Sequence, residues 1–158
     1  MRFALRLAAC VTSAIVLMGC ASLFRAHVAV TKTDAAPPFT QPEQERAKAI
    51  VVEIGRAAGF WETDTAAKLS DRESSWPYVA FVSLGAPGGD PDRQRVHILA
   101  EMRKDRRELR VLVGDDARGD PLPSTRQLVD ELRTALERAF PDSRVEAASR
   151  KARQGFGP

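Results

Sequence analysis

Between residues 40 and 149 the apolar positions recur with two different periods. Ala47, Ile50, Val51, Ile54, Ala57 and Ala58 fall three or four apart, with Glu43, Glu45, Arg46, Lys48, Glu53 and Arg56 on the other side, which predicts an amphipathic helix. Thr40 and Glu43 stand ahead of it at capping-box spacing, Pro42 is acceptable in a first turn, and Gly59 supplies a C-terminal stop. A second stripe runs through Leu128, Val129, Leu132, Leu136, Ala139 and Phe140. Ser124 and Gln127 form a capping box before it, and Pro141 ends it.

Between the helices the period drops to two. Val96, Ile98, Ala100 and Met102 alternate with polar residues, and Leu109, Val111 and Val113 repeat the alternation after a polar turn at 103–107. That pattern predicts an antiparallel hairpin with one apolar face. WPYVAFVSL (76–84) is rich in β-branched and aromatic residues and reads as a strand covered on both faces, with Pro77 confined near its start. Residues 60–75 carry no clear period, and 143–147 have room for an extra edge strand. Helix, three-stranded antiparallel meander, helix: the expected product is an α+β two-layer sandwich over 40–149, large enough for one modest core. Residues 150–158 read as a polar tail.

The first 24 residues are organised differently. Arg2 and Arg6 precede an apolar run of 13 residues, 7–19, and small residues follow at Gly19-Cys20-Ala21-Ser22. This is the layout of a secretory leader. As a helix the run would span roughly 20 Å, short of the roughly 30 Å hydrocarbon core that a permanent anchor must cross. Residues 20–39, closing on Pro37-Pro38, show no sustained period. They read as a flexible tether with an r.m.s. span of about 25 Å, although Val28 and Val30 have strand parity.

Leu17-Met18-Gly19-Cys20 resembles the lipobox of bacterial lipoproteins. The resemblance covers the first 22 residues and implies that the Cys20 thiol takes a diacylglycerol and that the chain is cut between Gly19 and Cys20. Residues 1–19 would then be a cleaved signal peptide. Two or more acyl chains hold a protein firmly where one gives only marginal binding. Ala21, in place of the Asp that retains such proteins in the inner membrane, implies the inner leaflet of the outer membrane, facing the periplasm.

Cleavage changes the charge. The chain has 24 basic and 21 acidic residues; losing Arg2 and Arg6 leaves 22 against 21, so no nucleic-acid partner is expected. Cys10 would leave with the leader, and an alkylated Cys20 leaves no thiol for a disulfide or a metal.

Searching for chemistry yields little. His97 sits in a strand with parity opposite to Val96 and Ile98, and His27 lies in the segment read as tether, so neither has partners at catalytic or metal-binding spacing. The acidic loops 90–92 and 115–120 lack the ligand spacing of a calcium loop. No catalytic residue, metal or cofactor is expected. Arg103, Lys104, Arg106 and Arg107 crowd one hairpin turn, either as a contact for lipid headgroups or an acidic partner or as an ordinary charged turn. Phe60, Trp61, Trp76 and Tyr78 belong either to a core or to an exposed binding surface. The expected function is a non-enzymatic, lipid-anchored binding or assembly accessory of the envelope, working with an envelope protein complex. The alternative is a carrier holding a lipid or peptidoglycan fragment in a pocket between helices and sheet.

Overall fold

The computed structural model describes residues 24–70, 76–86, 96–115 and 120–149. Its elements in chain order are β1 (Phe24–Lys32), α1 (Gln41–Ala57), β2 (Trp61–Glu62), α2 (Thr65–Ser70), β3 (Tyr78–Gly85), β4 (Val96–Arg103), β5 (Glu108–Gly114), α3 (Pro123–Ala139) and β6 (Ser143–Ser149). The fold is α+β, built on a six-stranded sheet of order β2-β3-β4-β5-β1-β6 in which every pair is antiparallel.

The expected hairpin is β4–β5, with Ile98 opposite Val113, Ala100 opposite Val111 and Met102 opposite Leu109. β3 joins it as a meander, but the sheet does not stop at three strands. Phe24–Lys32, expected within a flexible tether, is a nine-residue strand lying between β5 and β6. Val28 pairs with Val111 on one side and Ala147 on the other. The reason is burial: Ala26, Val28 and Val30 all face the core, and Val28 and Val30 are fully enclosed. Residues 143–149 do form an edge strand, and β1 is its partner.

One face of the sheet is apolar. Ala26, Val28 and Val30 of β1, Val82 and Leu84 of β3, Ile98, Ala100 and Met102 of β4, and Leu109, Val111 and Val113 of β5 meet Ala47 and Val51 of α1 and Leu128, Val129, Leu132 and Leu136 of α3. Phe39, also outside the expected domain, is buried with its ring edge-on to Phe140 at 5.6 Å between centroids. At Gly55, α1 comes so close to β3 that a Cβ there would lie 2.3 Å from Leu84 Cδ1, which is why the helix stripe is interrupted by a glycine.

The two helices start by different means. Thr40 caps α1 as expected: its Oγ1 accepts from the Glu43 N–H at 3.4 Å, and the Glu43 carboxylate accepts from the Thr40 N–H at 2.7 Å. Gly59 (φ 86°) follows its last turn. The Ser124 box does not form. α3 begins two residues after Pro121, with Leu122 at the cap and no side-chain bond from Ser124. Asp115 replaces it from the end of β5, its Oδ2 accepting from the Leu122 N–H at 2.9 Å and the Thr125 hydroxyl at 2.8 Å. The unpatterned stretch after Gly59 holds β2 and the six-residue α2, pinned to β3 through the buried Ser83. Its Oγ takes the Ala66 N–H at 2.9 Å and lies 2.7 Å from Thr63 Oγ1.

Candidate functional site: an aromatic and charged patch on the opposite sheet face

Side chains whose parity opposes the core stripe form the second face of the sheet. The register puts Tyr78, Arg103 and Glu108 in adjacent positions near the 103–107 turn, and Ala80, Glu101 and Arg110 in the next row. Arg110 is the hub. Its guanidinium lies 3.5 Å from the centroid of the Tyr78 ring and 5.5 Å from that of Trp76, and its Nε donates to Glu101. Glu101 is only 4 % exposed, so this ion pair neutralises a carboxylate that burial would otherwise penalise heavily. Tyr78 Oη donates to Glu108 Oε1 at 2.9 Å, and Arg103 Nη1 donates to Glu108 Oε2 at 3.2 Å. Burial, and then the bond to Glu108, push the Tyr78 phenol above its ordinary value, so it stays a protonated donor. Trp76 caps the cluster, 53 % exposed, its ring 6.1 Å from that of Tyr78.

The four basic residues of the turn are brought together, with different employments. Arg103 bonds Asp105 and Glu108. Its bond holds the Asp105 carboxyl below the usual range, aided by the Arg107 N–H. Arg106, at φ 58°, donates from Nε to the Phe39 carbonyl at 2.6 Å and from Nη2 to Gln44 Oε1 at 3.3 Å. Arg107 Nη1 donates to the carbonyls of Thr33 and Ala36. Arg106 and Arg107 therefore clasp the segment that crosses from β1 to α1. Lys104 is exposed at the tip, its N–H donating to the Pro77 carbonyl at 2.8 Å. A further clamp closes the same crossing: Lys32 Nζ donates to Glu43 Oε1 at 2.6 Å. Burial raises the Glu43 carboxyl, but the bonds from Lys32 and Thr40 outweigh it and bring the pKa from 4.5 down to about 2.

Of the residues singled out in the sequence, Gly19 and Cys20 lie outside the described residues. Trp76 and Tyr78 belong to the patch. Trp61 does not: its Nε1 donates to the Ala86 carbonyl and its ring lies against Gly85. Phe60 packs on the core. His97 faces away from α1 and α3, as its parity predicts, with Nδ1 3.4 Å from the Gly114 carbonyl. Arg110, Glu101 and Glu108 were not singled out. Counting outward from the 103–107 turn would have placed Glu101 opposite Arg110, and the strand alternation would have put both on the non-core face.

Chemically the patch is a stacked aromatic and guanidinium surface in which Tyr78 Oη, Arg103 and Arg110 Nε are bonded to carboxylates, and its Trp, Tyr and Arg are the residue types that dominate recognition surfaces. Among the described residues no group of three or more His, Cys, Asp or Glu side chains is placed to hold a metal ion, and no helix is long and apolar enough to cross a membrane. A shallow open groove of about 660 Å³ runs along Ile54, Gln127, Asp130, Glu131, Thr134, Ala135 and Arg138. It lies on the outer surface of α1 and α3, open to solvent. Between helices and sheet, where the carrier reading needs its cavity, Phe39, Leu84, Ile98, Leu132 and Leu136 are packed with under 2 % exposure. No protein-family model, curated protein or solved structure matches this chain.

Proposed function

We propose that the chain is an envelope lipoprotein, acylated on Cys20 after cleavage behind Gly19, whose two-layer α+β domain serves as a non-enzymatic binding or assembly accessory on the periplasmic side of the outer membrane. The observation that carries this reading is the Leu17-Met18-Gly19-Cys20 exit from a short apolar leader, joined to a folded domain. The Trp76–Tyr78–Arg110 patch is the contact surface of that accessory. Trp, Tyr and Arg are the residue types that dominate binding energy at protein interfaces, and Trp76 is exposed beside a rigidly held guanidinium.

Two measurements test it. Fatty-acid labelling of the wild type against Cys20→Ser should show label only in the former; equal label in both removes the anchor. A photo-crosslinking residue at exposed Lys104, whose backbone is bonded to Pro77 beside Trp76, should trap an envelope protein in vivo, whereas the same residue at exposed Arg133, on α3, should not. Recovery of free monomer from both positions removes the accessory role.

A further inference from the structure

The strand at Phe24 shortens the leash that the sequence pattern implies. Three residues separate Cys20 from Phe24, so the two Cα atoms lie no more than about 14 Å apart even in a fully extended chain. A domain so tied cannot move that end far from the lipid. The end of the sheet where β1 begins is the end nearest the lipid.

The register identifies what else lies at that end. Phe24 pairs with Gly114, the last residue of β5, and Ala26 pairs with Ser149, the last of β6. Asp115 follows Gly114 and holds the start of α3 through the Leu122 N–H. Leu122 is thereby fixed at the same end with its side chain 45 % exposed. At the other end of β1, Thr31 pairs with Glu108 and the Lys32 N–H donates to the Arg107 carbonyl. The basic turn is therefore one strand length away, about 27 Å at 3.3–3.4 Å per residue. Beyond about 8 Å charges are largely screened in physiological salt, so with the strands standing off the surface the turn gains nothing from lipid headgroups. Lys104 is bonded to Pro77, so Trp76 lies at the far end too.

We infer that the Phe24–Leu122 end of the domain is apposed to the phospholipid surface, with Leu122 against the interface, and that the Trp76–Arg110 patch and the basic turn are presented away from it. This rests on acylation of Cys20. It assigns Arg103, Lys104, Arg106 and Arg107 to the partner side rather than to the membrane.

The test uses the full acylated protein reconstituted into vesicles of phosphatidylethanolamine and phosphatidylglycerol containing a phospholipid with a nitroxide headgroup. Asp120→Cys and Lys104→Cys are both exposed positions, one near each end of the sheet, and each is labelled with a bimane fluorophore. Quenching should be several-fold stronger at position 120 than at 104. A long Gly-Ser spacer inserted between Ser22 and Leu23 should remove the difference. Mass spectrometry of the peptide containing Cys20 is run on the same samples. Acyl mass present with equal quenching at both positions, or with stronger quenching at 104, overturns the orientation and leaves the anchor standing. Acyl mass absent overturns the anchor, and the orientation with it.

Discussion

Arg110 ties together a stack of rings and a buried carboxylate, and mutation separates these two duties. Arg110→Ala strands Glu101 in the sheet without its partner and is expected to cost about 3 kcal/mol or more in urea unfolding. Trp76→Ala removes an exposed ring and should change stability by less than about 1 kcal/mol while abolishing crosslinking to the partner. Similar stability losses in the two variants would mean that Trp76 is structural. Glu43 has a pH signature. Its folded pKa of about 2 lies below its ordinary 4.5, so its contribution is complete above the ordinary value and is lost as the pH falls toward 2. Glu43→Gln should lower stability at pH 7 by about 1–2 kcal/mol and flatten the acid limb of the stability profile. An unchanged acid limb would show that the Lys32 clamp contributes nothing.

Among the elements, β1 carries the sharpest expectation. If residues 20–39 were a leash, a chain beginning at Thr40 would fold normally. With Val28 and Val30 in the core, and β6 paired only to β1, that truncation should give no cooperative urea transition. The start of α3 offers a second comparison: Asp115→Ala should cost about 1–2 kcal/mol, and Ser124→Ala close to nothing. These two elements also mark where the sequence stops being readable. The helix stripes and the β4–β5 alternation announce themselves because their partners are local or their period is strong. β1 does not, because three inward residues are too few to stand out and both of its partners lie far along the chain. Asp115 is hidden for the same reason, since its cap reaches in from outside the helix it serves. The patch was half legible: the aromatics stood out by type, whereas Arg110 and Glu101 needed the hairpin register. The lipobox lies outside the fold altogether and was legible as a local motif.

For the whole molecule, the proposed anchor is expected to act independently of the folded domain, whose described core runs from Ala26 to Phe140. A Cys20→Ser protein directed through an ordinary signal peptide should therefore be soluble, with a thermal midpoint within a few degrees of the acylated form in detergent. A large drop would mean that the lipids pack into the domain, as the carrier reading requires.

The two borders of the sheet matter most when many copies share one surface. One border is the two-residue β2; the other, β6, bears Arg144 and Glu146 on an exposed strand, bonded to each other. Molecules confined to a plane at equal height collide border to border far more often than in solution. The charged β6 flank gives such encounters little to grow from, so crowding would concentrate these domains without zipping them together along that border.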